Sequence, residues 1–393
     1  MVDNTDIATK LVHSGERHKP TDAQPVANPI YASATYTYES MEDVDKVFSG
    51  EKQGYIYTRY GNPTCAALEE SLRVIEDGAV ACSYASGMAA LHAALFASDL
   101  KPGSTVVASQ DLYGATTSLL TTVFGSFGIK TVPADFNDLN ALRDLVREIK
   151  PAVLVSETIS NPLLKVGDIE ACAEIAQSVS ARLIVDNTFA TPYLCRPLNF
   201  GADMVVHSAT KYLSGHADAM GGVVVSRDEF DGAALVGVMK LAGGVLSPWE
   251  AHQISRGIKT LGVRLDRQCE NARVVAEHLR SNELVKHVYY PGFSADAVVG
   301  RMLREPGALV SIELKNDSVA GAFKFMNALS ICVRSTSLGD VFTSVLHPTT
   351  AFLRDTPESR RRELGVADGL VRISVGIENV DDVIADVDQA LKA

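Results

Sequence analysis

The residues of this chain that could do chemistry fall in a few short motifs. The first reads His207-Ser208-Ala209-Thr210-Lys211-Tyr212-Leu213-Ser214-Gly215-His216 and follows the apolar run Met204-Val205-Val206. Two hydroxyls, on Ser208 and Thr210, flank a lysine, a pattern suited to holding a phosphate ester beside an amine. A lysine in desolvated or cationic surroundings has a lowered pKa and can condense with a carbonyl. Asp186 stands 25 residues earlier, directly after Leu183-Ile184-Val185. A carboxylate at the end of an apolar strand is costly to bury unless it has a partner. A capping role would meet that need. So would a pyridoxal-phosphate (PLP) site, which requires a lysine amine and an acid that keeps the pyridine nitrogen protonated.

Four further motifs gain meaning beside that pair. Ser86-Gly87-Met88 lies between a short strand and a helix, where backbone N–H groups and the helix dipole favour an anion. Alone it reads as a tight turn; beside Lys211 and Asp186 it reads as a phosphate cradle. Tyr113, in Asp111-Leu112-Tyr113-Gly114, follows another strand, and its ring can either stack on a cofactor or pack internally. Arg59 closes the segment Tyr57-Thr58-Arg59-Tyr60-Gly61-Asn62-Pro63-Thr64 and suits either a bidentate phosphate contact or a surface ion pair. Arg372 interrupts the apolar stretch Leu370-Val371-Arg372-Ile373-Ser374-Val375 and needs an anionic partner, either an internal carboxylate or that of a substrate.

The elements that must position these residues are legible as alternating patterns. Leu68, Leu72 and Ile75 lie at helical spacing, as do Met88, Leu91 and Leu95. The sets Leu139, Leu142, Val146, Ile149 and Ile169, Cys172, Ile175, Val179 repeat that spacing. Between them run the apolar strands 79–84, 105–108, 152–155, 183–185, 204–206 and 223–225. Short apolar strands alternating with helices predict an α/β fold with a mostly parallel sheet covered on both faces. In such sheets functional residues gather past the carboxyl ends of strands. After Trp249 a long helical stretch, 248–280, precedes strands near 309–314 and 371–375, which predicts a smaller C-terminal α/β domain. Residues 1 to about 60 read as irregular, broken by Pro20, Pro25 and Pro29. They are too aromatic for a disordered tail, which suggests an arm that packs on something else. The expected division is an arm over 1–60, a large domain over 61–255 and a small domain over 256–393.

Bulk properties narrow the function. A chain of 393 residues exceeds one compact core. A net charge of −12 disfavours nucleic acid or an anionic membrane as partner. No apolar run is long enough to span a bilayer and Met1 to Lys10 carries no signal-peptide core, so a cytoplasmic location is expected. The six cysteines form no Cys-x-x-Cys pair and have no histidine at ligand spacing; neither a metal site nor a disulfide framework is expected.

Taken together, these motifs resemble the Cys/Met-metabolism family of PLP enzymes, which includes methionine γ-lyase, cystathionine γ-lyase, cystathionine γ-synthase and the acylhomoserine sulfhydrylases. The resemblance runs from Pro29-Ile30-Tyr31 to Gly376-Ile377-Glu378, and the segment Asp203–His216 matches the family's lysine signature. Ser160-Asn161-Pro162 and Ser337-Leu338-Gly339-Asp340 match in order. The resemblance implies the aspartate-aminotransferase-like fold of type I and a homotetramer, a dimer of dimers with shared active sites. It implies that Lys211 carries PLP, that Asp186 pairs with the pyridine nitrogen, and that Gly87, Met88, Ser208 and Thr210 hold the phosphate. Tyr57 and Arg59 would reach the phosphate of a neighbouring subunit. Tyr113 would stack on the ring and assist at the leaving group, and Asn161, Ser337 and Arg372 would hold the substrate carboxylate. The implied activity is γ-elimination on a γ-substituted amino acid, either a methionine, homocysteine or cystathionine type or an oxygen-linked type such as canavanine. Its nearest rival is γ-replacement, as in cystathionine γ-synthase or O-acylhomoserine sulfhydrylase; a β-lyase, an aminotransferase and an inactive PLP-binding protein are weaker alternatives. Three positions depart from the family pattern: Ala115 in place of a cysteine, Thr336 in place of a glutamate, and Phe352-Leu353-Arg354 in place of Thr-His-Ser. All three are expected at the distal end of the substrate and point to an unusual γ-substituent.

Overall fold

The computed structural model describes residues 5–15 and 25–393; Pro20 and the first four residues of the polar stretch Met1 to Lys10 fall outside them. Two sheets organise the chain. The larger has seven strands: β1 (Val80–Tyr84), β2 (Thr105–Ser109), β3 (Lys130–Ala134), β4 (Val153–Glu157), β5 (Arg182–Asp186), β6 (Met204–Ser208) and β7 (Gly222–Ser226), in the order β1-β7-β6-β5-β4-β2-β3. The parallel ladders are β6–β5, β5–β4, β4–β2 and β2–β3. β7 alone runs against its neighbours β1 and β6.

Alternation along each strand explains why these apolar runs are strands. Val107, Leu154, Leu183, Val185 and Val205 face a core built with Leu68, Leu72, Ile75, Leu142, Val146 and Ile169. Their neighbours Val106, Val153, Val155, Ile184, Met204 and Val206 face the opposite core, with Leu91, Leu95, Leu235 and Met239. Both faces are therefore covered by helices, as a parallel sheet requires. The first core draws on helices Pro63–Ile75, Leu139–Ile149 and Ile169–Gln177; the second draws on Gly87–Ala97 and Glu229–Ala242.

The smaller sheet contains β8 (Val285–Tyr289), β9 (Leu309–Leu314), β10 (Val333–Arg334), β11 (Ser344–Leu346) and β12 (Leu370–Ser374), in the order β10-β11-β12-β9-β8. A separate core lies beneath it, formed by Val310, Ile312, Val371 and Ile373 with Phe325 and Val387.

Several sequence expectations need correction. The arm is not uniformly irregular: it carries the short helices Ile7–His13 and Met41–Phe48. The second is capped by Ser40, whose hydroxyl accepts the Asp43 N–H at 3.1 Å. The helical stretch at 248–280 is two helices, Pro248–Ile258 and Leu261–Arg280, separated at Lys259-Thr260. β3, the helix Glu229–Ala242, and the helix Gly114–Ser118 that continues in wider π-type turns through Leu119–Phe124 were not anticipated. Among the described residues no helix is long and apolar enough to cross a membrane. All six cysteines are buried and unpaired.

Candidate active site

The carboxyl ends of the parallel strands converge on a cavity of about 620 Å³, within the range of small-molecule sites. β4 ends in Glu157, β5 in Asp186 and β6 in Ser208, and all three line it. Tyr113 arrives on the loop after β2, Gly87 and Met88 on the first turn of the helix after β1, and Thr210 and Lys211 on the turn after β6. Arg372 enters from β12 of the other sheet and Asn161 from the loop after β4. The cavity therefore collects nine of the residues picked out from sequence, drawn from positions 87 to 372.

Asp186 accepts the Thr188 N–H at 2.9 Å. Among the described residues no lysine or arginine pairs with it. Burial raises its pKa, partly offset by the hydrogen bonds from Thr188. Lys211 Nζ donates to the Ser337 hydroxyl at 3.0 Å. Burial and then the nearby Arg372 charge lower the pKa of the lysine, with Asp340 opposing. Both groups are thus held out of their ordinary state, which is characteristic of sites that do chemistry.

The anion end is built from close backbone approach. Ser86 caps the helix Gly87–Ala97 by accepting the Ala89 N–H at 3.1 Å. A Cβ on Gly87 would meet Ser208 Cβ at 2.8 Å, so only glycine lets this helix start rest on the end of β6. The Ser208 N–H donates to the Thr188 hydroxyl at 2.8 Å, and the Thr210 hydroxyl accepts the Gly221 N–H at 3.1 Å, which fixes the lysine turn.

At the other end Arg372 is 3% exposed. It donates to Asn161 Oδ1 at 2.9 Å and more weakly to the Ser337 carbonyl at 3.4 Å. Its guanidinium carbon lies 5.7 Å from the ring centres of both Phe189 and Phe352. Burial pulls its pKa down to about 10. A buried cation with only neutral partners is poised for an added carboxylate.

Two predicted residues stand elsewhere. Tyr57 and Arg59 do not line this cavity; Tyr57 is exposed and Arg59 donates to the Lys240 carbonyl while its guanidinium packs 4.8 Å from the Tyr60 ring centre. Of the three departures, Thr336 and Phe352 line the cavity, and Phe352 sets its ring 5.6 Å from that of Tyr113. Ala115 does not line it, Leu353 is buried in a separate small core, and Arg354 is tied to the Thr350 carbonyl, so these three are not part of the substrate's surroundings within this chain.

Among the ionisable residues lining the cavity, Glu157 was missed; the apolar Ile159, Phe189, Met220 and Leu346 were not singled out either. Glu157 accepts the Tyr113 N–H at 2.7 Å and sits opposite Asp186 in the β4–β5 ladder. The signal that singled out Asp186, a carboxylate after an apolar strand, is present in weaker form in Val153-Leu154-Val155-Ser156-Glu157, where Ser156 separates the acid from the apolar run.

The residues present fit PLP. A half-buried lysine without a carboxylate partner, an unpaired aspartate and a glycine-based helix start, all in one cavity, match the aldehyde, the pyridine nitrogen and the phosphate in turn.

Comparison with known proteins gives the same answer. An L-methionine gamma-lyase from Pseudomonas putida is 41% identical over 393 residues, covering 98% of this chain and 97% of that protein. A cystathionine gamma-synthase from Mycobacterium bovis is 39% identical over 387 residues, covering 98% and 96%. The crystal structure of cystathionine gamma synthase from Xanthomonas oryzae pv. oryzae, in complex with aminoacrylate and cysteine, superposes with a TM-score of 0.92 at 34% identity, covering 99% of this chain and 98% of that one. The family model described as Cys/Met metabolism PLP-dependent enzyme matches residues 8–392, and the chain belongs to that family.

Proposed function

We propose that this enzyme eliminates the γ-substituent of a small L-amino acid. The observation that carries the reading is that a half-buried lysine amine and a buried, carboxylate-ready guanidinium share one cavity whose outer wall at Thr336 and Phe352 is uncharged. When bound, PLP supplies an electron sink for negative charge developing at the substrate's α-carbon. Lys211 would hold it through Nζ; Asp186 would hold the pyridine nitrogen, and Gly87, Met88, Ser208 and Thr210 the phosphate. Arg372, with Asn161 and Ser337, would hold the substrate carboxylate. Lys211 Nζ, whose proton affinity is already reduced by burial, would move protons at the α- and β-carbons. Tyr113 would stack on the ring and help transfer a proton at the departing γ-group.

The similarity to L-methionine gamma-lyases supports elimination, and the uncharged outer wall supports a neutral γ-substituent. Replacement by a thiol is the second reading, favoured by the M. bovis cystathionine gamma-synthase. We read the working unit as a cytoplasmic homotetramer in which the exposed Tyr57 and the half-buried Arg59, both away from their own cavity, complete a neighbour's phosphate site. Six free buried cysteines agree with a reducing compartment. The two sheets, each with its own core, support the division into an arm over 1–60 and domains over 61–255 and 256–393.

The test gives the PLP-loaded enzyme methionine, homocysteine, cystathionine, acylated homoserines and canavanine, with and without a thiol. The expected result is 2-ketobutyrate, or homoserine from an oxygen-linked substrate, without any thiol and abolished by Lys211→Ala. Turnover only with thiol, yielding a new thioether or thiol amino acid, would establish replacement instead.

A further inference from the structure

The loop that carries Tyr113 and the loop that carries Asn161 bear on opposite ends of the reacting amino acid, yet both hang from one side chain. Glu157 Oε1 accepts the Tyr113 N–H at 2.7 Å, and the Asn161 backbone lies near enough to the same carboxyl to favour its charge. Asn161 in turn presents its Oδ1 to Arg372 at 2.9 Å. A second tie runs in parallel: Lys165 Nζ, farther along the Asn161 loop, pairs with the Asp111 carboxylate at 3.0 Å, on the Tyr113 loop. Tyr113 is pressed from the far side by Phe352, whose carbonyl oxygen lies where a Cβ on Gly114 would collide with it.

We infer that Glu157 is a positioning residue: its carboxyl oxygens set the Tyr113 loop against the Asn161–Arg372 pair, so that ring stacking and carboxylate binding are fixed relative to each other. The inference rests on the cavity being the PLP site proposed above. Glu157 and Asp186 are directly opposed on adjacent strands, and both face the cavity. Two carboxyls that feel each other's charge resist ionising together in a site with little water. The charged groups facing Glu157 are Asp186 from β5, Asp111 from the loop after β2 and Arg372 from β12; Asp111 is already taken by Lys165. Burial and then the Asp186 charge push the Glu157 acid well above its ordinary range. Asp186 is raised as well, but less, and its Thr188 hydrogen bonds favour the anion, which assigns the proton to Glu157 and leaves Asp186 anionic for the pyridine nitrogen. A neutral acid still offers its carbonyl oxygen to a backbone N–H.

The charge and the geometry separate by substitution. Glu157→Gln keeps a neutral group of the same shape with an acceptor oxygen. Glu157→Asp keeps the acid but withdraws it by one methylene, and Glu157→Ala removes it. Each cofactor-free variant is titrated with PLP by absorbance, the bound cofactor's spectrum is followed across pH, and kcat and KM are measured on whichever amino acid the wild type turns over. Glu157→Gln is expected to stay within about threefold of wild type in kcat/KM, with a superimposable pH titration of the spectrum. Glu157→Ala and Glu157→Asp are expected to bind PLP yet lose on the order of 10²-fold in kcat/KM, the cost of a misplacement near 1 Å, with kcat falling and KM rising together. Unchanged kinetics in Glu157→Asp and Glu157→Ala would overturn the positioning role. A Glu157→Gln variant as damaged as Glu157→Asp, or one whose spectral titration moves by a pH unit, would show that an anion is needed there and overturn the assignment of the proton. If Glu157→Ala fails to fold, the Gln and Asp variants still decide. If the wild type turns over none of the panel, the proposed reaction fails while the spectral titration still judges Glu157.

Discussion

Arg372→Gln should separate stability from activity, with opposite signs. The guanidinium is 3% exposed, and its nearest partners are neutral: Asn161 Oδ1 at 2.9 Å and the Ser337 carbonyl at 3.4 Å. Burial lowers its pKa from 12.5 to about 10. For a base this means the charged form is disfavoured in the fold, by roughly 1.4 kcal/mol per pH unit, or about 3 kcal/mol at neutral pH. Removing the charge should therefore stabilise the substrate-free protein. The Asn161 acceptor left behind takes back about 1 kcal/mol of that, giving a net gain of about 1–2 kcal/mol. Towards substrate the effect reverses. Hydrogen bonds between charged groups are worth about 1.5–3 kcal/mol each, and a glutamine can return only one neutral bond. A loss of about 3–4 kcal/mol corresponds to a fall in kcat/KM of roughly 10²–10³-fold. The assay pairs urea unfolding of the substrate-free enzyme with initial rates on its best substrate, and with PLP titration as a control that should not move. A kcat/KM loss smaller than about tenfold would refute the assignment of Arg372 to the substrate carboxylate. A drop in stability would refute the view of it as an unpaired buried cation.

Two other outcomes follow from local geometry. Gly87→Ala places a Cβ 2.8 Å from that of Ser208 and forces the helix start off β6; overpacking of this kind costs about 1–3 kcal/mol, so PLP affinity measured by absorbance titration should fall about 10- to 100-fold. Glu69 accepts the Ser83 N–H at 2.9 Å and the Ser83 hydroxyl at 2.7 Å, and burial raises its pKa from 4.5 to about 7. Between those values the folded chain binds more protons than the unfolded one, so stability falls as pH rises through the window, by about 3 kcal/mol in total. Glu69→Gln should remove that part of the slope, visible as a smaller difference between unfolding free energies at about pH 5 and about pH 8.

How much of this was legible in the sequence depended on whether a signal was local. Asp186 was readable because it directly follows an unbroken apolar strand, where a charged group is costly unless a ligand or partner meets it, and Lys211 because the hydroxyls of Ser208 and Thr210 flank it in the turn after another such strand. Glu157 carried a weaker form of the Asp186 signal and no motif to draw attention to it. The helix Met41–Phe48 was hidden by its length, although Ser40 offered the capping residue. β3 was hidden by Pro133, which argues against a strand unless the strand lies at an edge; it pairs with β2 alone. The break at Lys259-Thr260 left the helical period almost in phase, so two helices read as one. Where Phe352 lands could not be read at all, because its contact with Tyr113 joins residues from different sheets.

Strand order also governs when this chain can finish folding during its synthesis. β1 has one neighbour, β7, and the two are separated by more than a hundred residues. β12 is the last strand in sequence yet occupies the centre of its sheet, between β11 and β9. Until it emerges from the ribosome, the second sheet is two unconnected pairs, β10-β11 and β8-β9. No N-terminal portion of the chain short of β12 contains two completed sheets, so unpaired edges persist until residues 370–374 have been made. Such long-range pairing folds slowly and leaves edges open to association. The strand that supplies the substrate-facing arginine is thus also the one that closes its sheet.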